Sequence, residues 1–238
     1  MTEVSEFYDD YSNFQHSRGI NHRHLSIQRW LEFFGLKGSD QVLEIGCGIG
    51  TQTELVLRYL TTGSITGIDI SEKSIELAKQ RLAKYNNQEL IAGDVVQLDI
   101  QKKYDIILMP DVLEHIPIEQ HARLFSKLEL LLKQDGLLII HIPDPDSLKW
   151  IRKNQPETLQ IIDQPIELGE LLGNLKHTSF KIEYLHSYSI YSTDPDYQLI
   201  VMRKNISERS YKNRQAFLDD SFSRKAKRKL SYYLRGLK

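Results

Sequence analysis

From residue 41 onward, short apolar runs alternate with apolar positions at helical spacing. The strand-like runs are residues 41–45, 64–68, 89–92, 104–109 and 136–142. Most lack a clean alternation, as strands buried on both faces should. Between them, residues 51–60, 72–84 and 118–133 carry helical spacing. In the second of these, Ile75, Leu77, Ala78 and Leu82 form an apolar stripe behind Ser71, a good N-cap. Repeated strand–helix–strand units predict right-handed crossovers and a three-layer, doubly wound α/β sheet that is mostly parallel.

The flanks read differently. Residues 23–34 have Leu25, Ile27, Trp30, Leu31 and Phe34 at the spacing of an amphipathic helix. After Pro143, prolines at 145, 156 and 165 break the chain into short pieces. Residues 181–188 and 197–203 read as two strands joined by a turn at Thr193, Asp194, Pro195 and Asp196. So short a connection favours an antiparallel pair. The expected division is a helical lid at 1–36, an α/β domain at 37–204 with an insert at 144–178, and a basic amphipathic helix within 205–238.

Composition narrows the class. At 238 residues, 40% hydrophobic and 26% charged, the chain has the makings of one soluble α/β domain. Its longest apolar runs, such as 137–140, are too short to span a bilayer. The first ten residues, MTEVSEFYDD, lack the apolar core of a secretory signal, so a cytoplasmic protein is expected. Cys47 is the sole cysteine, which excludes an internal disulfide and a cysteine-based zinc cluster. From Arg203 to Lys238 there are 12 Lys and Arg against 3 Asp and Glu, a net +9; the 202 residues before them carry 19 against 29, a net −10.

The most informative stretch is Val42-Leu43-Glu44-Ile45-Gly46-Cys47-Gly48-Ile49-Gly50-Thr51, an apolar strand running into three alternate glycines and then a helix. Such a turn lets a ligand lie against bare backbone beside unpaired N–H groups at a helix start. A dinucleotide fingerprint places its third glycine where Thr51 stands, and the Gly-Lys-Ser/Thr of a phosphate loop is missing. Glu44 beside the loop opposes a pyrophosphate and suits a ligand with a cationic end. Asp69 closes the second strand, where a carboxylate can accept two hydrogen bonds from a ribose diol. Asp94 closes the third and is suited to an exocyclic amine; Asp111 follows the fourth.

These pieces, LEIGCGIG at 43–50, TGIDIS at 66–71, AGDV at 92–95, YDIILMPDVLEHI at 104–116 and DGLLIIHIPD at 135–144, resemble the class I S-adenosylmethionine-dependent methyltransferases in order and spacing over about two-thirds of the chain. The resemblance implies a seven-stranded sheet of order 3-2-1-4-5-7-6 with strand seven antiparallel. It implies S-adenosylmethionine as cofactor and S-adenosylhomocysteine as product. Gly46, Gly48 and Gly50 would face the methionine part, with Glu44 orienting the loop or reaching the amino group through water. Asp69 would bind the ribose hydroxyls and Ile70 would pack on the adenine. Asp94 would take the adenine amine, the Val95 amide a ring nitrogen, and the backbone near Met109 the methionine ammonium.

Methyl transfer needs a nucleophile held close to the methyl group and water excluded. A high-pKa oxygen or nitrogen also needs a base, for which His115, His141 and His16 are the candidates. Asp111, Glu114 and His115 are similar to a metal-associated E-x-x-E-H pattern of ubiquinone-pathway O-methyltransferases, but Asp111 replaces the first glutamate and no metal is expected. Phe7 to Tyr11 resembles the tyrosine-rich entry segment of small-molecule methyltransferases; Tyr8 or Tyr11 would meet the cofactor carboxylate, and Arg18 or Arg23 an acidic group. Trp150 and the 168–175 stripe are the apolar candidates of the insert, either as core or as a pocket wall.

The expected acceptor is an oxygen of a small molecule or glycan. An acidic body and the lack of an N-P-P-Y or D-P-P-Y tetrapeptide after strand four disfavour nucleic acid. In the tail, Phe222, Ala226, Leu230, Tyr233, Leu234 and Leu237 recur at helical spacing among lysines and arginines. That pattern fits an anionic membrane surface, making the protein peripheral at the inner membrane face, or a protein partner, or packing on the acidic body. The rivals are a tRNA or other nucleic-acid methyltransferase recruited by the tail, a non-catalytic cofactor-binding partner subunit, and an NAD-linked enzyme.

Overall fold

The computed structural model describes residues 19–204. His16, Tyr8, Tyr11, Arg18 and the helix expected within 205–238 lie outside the described residues, as do positions 1–18 of the expected lid. Seven strands form one sheet: β1 (Gln41–Ile45), β2 (Ser64–Asp69), β3 (Gln88–Ala92), β4 (Tyr104–Pro110), β5 (Leu132–Pro143), β6 (Phe180–Tyr188) and β7 (Tyr197–Lys204). Their order is β3-β2-β1-β4-β5-β7-β6. The pairs through β5 are parallel, and β7 runs antiparallel to both β5 and β6.

The apolar runs without alternation are strands covered on both faces. In β4, Ile107 and Met109 join one core cluster, while Ile106 and Leu108 join the other. Helices α4 (His121–Leu131) and α6 (Leu168–Leu175) cover the first face, supplying Leu124, Phe125, Leu128, Leu171 and Leu175. Helices α1 (His22–Phe33), α2 (Thr51–Tyr59) and α3 (Glu72–Arg81) cover the second. Asn21 starts α1 with a capping box, its side chain accepting from the His24 amide. Ser71 starts α3 by accepting from the Ser74 amide at 3.0 Å. Helix α1 is continuous with the sheet's core: Ile27 and Leu31 are buried with Val42 and Leu57, and Trp30 packs against Tyr184 and Tyr188.

Two regions differ from the sequence-based expectation. The helix expected over 118–133 divides into a single 3-10 turn (Ile118–Gln120), α4, and then strand from Leu132. Leu132 is 1% exposed and pairs with Tyr104, so the buried sheet position wins over another helical turn. In the 144–178 insert, Asp144 caps α5 (Pro145–Asn154), whose sole buried residue is Leu148. Trp150 is accordingly 55% exposed rather than core, while Leu171 and Leu175 of α6 are buried and Leu168 and Leu172 are open. Among the described residues no helix is long and apolar enough to cross a membrane.

Candidate functional site

The tips of β1, β2 and β3 are laced together through two residues. The amides of Gly46 and Cys47 donate to the Ile68 carbonyl at 2.8 and 3.1 Å. The Asp69 carboxylate accepts from the Gly48 amide at 2.8 Å and the Ser71 amide at 2.9 Å. The Asp69 carbonyl accepts from the Gly93 amide at 2.8 Å. Asp69 is thus held at the strand edge, and its side chain shapes the glycine loop.

The glycines have different reasons to be there. Gly46 has φ 72°, and a Cβ on it would lie 2.2 Å from Val112 Cγ2, so the loop presses against the chain leaving β4. Gly50 has φ 79° at the N-cap of α2, and a Cβ there would meet Leu82 Cδ1 at 2.9 Å and Ala78 Cβ at 3.3 Å. Gly50 is therefore required by the packing of α2 on α3. Gly48, with φ 52°, is tied to Asp69.

Glu44 is 1% exposed beneath this loop. Thr53 Oγ1 donates to its Oε2 at 2.7 Å, while its Oε1 is buried without a hydrogen-bond partner. Burial, reinforced by the charge of Asp69 and opposed by Thr53, pushes its pKa up to about 8. Burial likewise holds the Cys47 thiol well above its ordinary value, with Asp69 and Glu44 adding to the effect.

At β3, Asp94 accepts from the Val96 amide and from Gln97 Nε2, each at 2.9 Å. Val95 is buried at 4% exposure and Ile70 is 40% exposed at the rim. The Met109 side chain is wholly buried in the core. A groove of about 350 Å³, lined by Pro117, Arg152, Ile161 and Gln164 among others, includes none of Glu44, Gly46, Gly48, Asp69 or Asp94.

The chain leaving β4 makes a second cluster. Asp111 has φ 52°, the one positive value on a residue other than glycine among the described residues. Its amide donates to the His141 carbonyl at 2.7 Å, and its Oδ2 lies 2.6 Å from Arg23 Nη1. Tyr197 interacts favourably with the Arg23 guanidinium. Burial works against the Arg23 charge, but Asp111 and Tyr197 outweigh it and hold the pKa above its usual value.

The histidines have distinct surroundings. His141 is fully buried; its Nε2 meets the Tyr188 hydroxyl at 2.9 Å, its ring stacks on Tyr197, and its Nδ1 lies 3.8 Å from Asp111 Oδ1. Burial, aided by Arg23 and opposed by Asp111, lowers its pKa to about 4. His141 is therefore a neutral strut under Tyr188. His115 Nδ1 lies 3.2 Å from Asp163 Oδ1 and also meets the Ile162 carbonyl. Burial acts against its charge, yet Glu114, Asp163 and that carbonyl draw its pKa upward. Glu114 beside it is buried, which raises its own pKa. Within the 111–115 stretch Asp111 therefore turns to Arg23, while His115 lies 3.8 Å from Glu114 Oε1 and turns to Asp163. Among the described residues no cluster of three or more such groups is arranged to hold a metal ion.

The pairing of Asp111 with Arg23 and the placing of Tyr188 and Tyr197 around His141 escape the sequence reading. The available signal is an acid directly after Pro110 at a strand tip.

A methyltransferase-domain family model matches residues 43–138. The chain is 26% identical over 170 residues to a malonyl-[acyl-carrier protein] O-methyltransferase of Ilyobacter polytropus, covering 71% of this chain and 61% of that protein. It thus spans less than two-thirds of that relative's length. A solved S-adenosylmethionine-dependent methyltransferase from Clostridium acetobutylicum ATCC 824 matches with TM-score 0.65 at 14% identity, covering 82% of this chain and 99% of that one. Magnesium protoporphyrin IX methyltransferase from Synechocystis PCC 6803, solved with bound S-adenosylhomocysteine, matches with TM-score 0.62 at 23% identity, over 76% and 82%. At these identities the likeness is one of fold. The chain thus has the fold of these solved methyltransferases, with the methyltransferase-domain match running from β1 into β5.

Proposed function

We propose that the chain is an S-adenosylmethionine-dependent O-methyltransferase whose acceptor is a carboxylate on an acyl group, free or borne on a carrier protein. The observation that carries the cofactor is Glu44: a buried carboxyl with an unpartnered Oε1 under a glycine loop calls for a cationic group nearby. The residues fit S-adenosylmethionine. Gly46 and Gly48 would border its methionine part, Glu44 would answer the ammonium, Asp69 the ribose diol and Asp94 the adenine amine. When bound, the cofactor supplies an electrophilic methyl group on a sulfonium.

What the described residues offer an acceptor favours one that arrives deprotonated. A carboxylate is ionised at neutral pH and needs no general base. His141 is sealed, with its pKa near 4, and His115 is drawn upward and engaged by Asp163 and the Ile162 carbonyl. Arg23, ion-paired with Asp111 where the chain leaves β4, is a guanidinium on which an anionic acceptor could compete with that carboxylate. The Ilyobacter relative, named for a malonyl group on acyl-carrier protein, points the same way. A glycan acceptor, a nucleic-acid acceptor and a purely non-catalytic role gain no such support.

Incubation with S-adenosylmethionine and a malonyl thioester tests the assignment, on a carrier protein and on a small thiol. The expected outcome is S-adenosylhomocysteine formation with a base-labile methyl ester on the malonyl group. Calorimetric binding of S-adenosylhomocysteine without ester formation on either thioester would retain the cofactor site and discard the acceptor class.

A further inference from the structure

Ten buried side-chain polar atoms among the described residues make no hydrogen bond, and four of them meet at one place: Arg23 Nε, both Asp111 carboxylate oxygens and His141 Nδ1. Asp111 Oδ2 nevertheless touches Arg23 Nη1 at 2.6 Å, so the pair is held by charge in a poor hydrogen-bonding alignment. Buried polar groups are ordinarily satisfied, and a cluster that is not invites a ligand. The backbone adds to this, because Asp111 is held in the left-handed region, a conformation that persists where surroundings enforce it and that recurs at functional sites.

The cluster also stands in the right place. Val112, the next residue, presses on Gly46 of the cofactor loop. The Arg23 side chain is 27% exposed and that of Asp111 14%, while Arg23 Nε and both Asp111 carboxylate oxygens are themselves buried, so an exchange at this pair requires it to open. The Tyr191 hydroxyl accepts from the Arg23 amide at 3.3 Å, and Tyr197 flanks the guanidinium.

We propose that the Asp111 carboxylate is a built-in stand-in for the acceptor: it occupies on Arg23 the position that the acceptor's carboxylate takes, and acceptor choice is set by that exchange. The proposal rests on the carboxylate-acceptor reading above. A planar guanidinium matches one carboxylate or another in the same way, so an acceptor carboxylate can take the place of Asp111 on it. A neutral acceptor has nothing to exchange and leaves the pair closed. Once displaced, Asp111 has a partner within reach. His141 Nδ1 lies 3.8 Å from Oδ1, and a neutral imidazole with its proton on Nδ1 can donate there while its Nε2 accepts from Tyr188. Ser26 Oγ lies 2.8 Å from the Tyr188 hydroxyl and completes the chain.

The test titrates malonate, as the bare carboxylate probe, into the full chain saturated with S-adenosylhomocysteine, and measures KM and kcat for the malonyl thioester. Asp111→Asn is nearly isosteric and asparagine tolerates the left-handed backbone, so it removes the competing charge alone. It is expected to tighten malonate about 10-fold and to lower KM, with S-adenosylhomocysteine affinity unchanged. Arg23→Met is expected to weaken malonate and raise KM about 100-fold, with Arg23→Lys between. If Asp111→Asn weakens malonate as Arg23→Met does, the pair is a structural brace and the exchange is overturned. If wild type binds malonate by Arg23 but methylates no malonyl thioester, the acceptor reading fails independently of the exchange.

Discussion

Asp69→Ala is expected to weaken S-adenosylmethionine by about 100- to 1000-fold. Two hydrogen bonds from a ribose diol to a charged acceptor are each worth roughly 1.5–3 kcal/mol, and both vanish. The same substitution strips the Gly48 and Ser71 amides of their acceptor and so loosens the loop. Asp69→Asn separates the effects, because one amide oxygen can still accept. Calorimetry on both variants, with thermal melts of the ligand-free proteins, reads them apart. Near-normal affinity in Asp69→Ala would remove Asp69 from the ribose site. A collateral outcome follows from electrostatics: Asp69 helps raise the Glu44 pKa, so the Glu44 pKa falls in Asp69→Ala.

Glu44 governs the second large effect, on both stability and binding. Its pKa in the folded protein is about 8, against an ordinary value of 4.5. The folded state therefore keeps a proton that the unfolded chain releases. Stability contributed by this carboxyl is fullest below pH 4.5, declines as pH rises toward 8 and is level above it. A shift of this size is worth a few kcal/mol, on the order of 1.4 kcal/mol per pH unit within that window. Glu44→Gln is expected to flatten the profile and to be the more stable protein at pH 8, as read by urea denaturation across pH 5–9. Binding runs the other way. An ammonium favours ionised Glu44, so affinity for S-adenosylmethionine is expected to rise between pH 6 and 8. Calorimetry near pH 7 in buffers of different ionisation enthalpy should register proton release. A pH-independent affinity with no proton release would separate Glu44 from the cofactor's cationic end.

Much of the fold is legible in residue order because its strands carry a local signature. Runs such as 104–109 need apolar residues on both sides of the sheet, and that demand shows in any window containing them. The position of the candidate site is legible for the same reason, since Glu44, Gly46, Asp69 and Asp94 lie at or just beyond the ends of such runs. Boundaries set by partners elsewhere are not. Leu132 leaves its helical period to pair with Tyr104, and no window around it contains that partner. Trp150 looks like core by type but lies on a helix that buries Leu148 alone. By residue type His141 reads as a base, and Asp111 as one acid of a metal-like pattern for which no metal is expected. Their actual surroundings, Tyr188, Tyr197 and Arg23, come from strands and a helix 47 or more residues away along the chain.

One buried atom offers an optical handle on the loop. Cys47 is the chain's only cysteine, and its thiol is 4% exposed and disfavoured as a thiolate. Its Sγ lies where a Cβ on Gly67 would come within 3.0 Å, wedged between loop and sheet. A chromogenic disulfide reagent needs both access and ionisation. Colour will therefore develop only as fast as the loop lifts from β2, and the unmodified protein carries its own stopwatch for that opening.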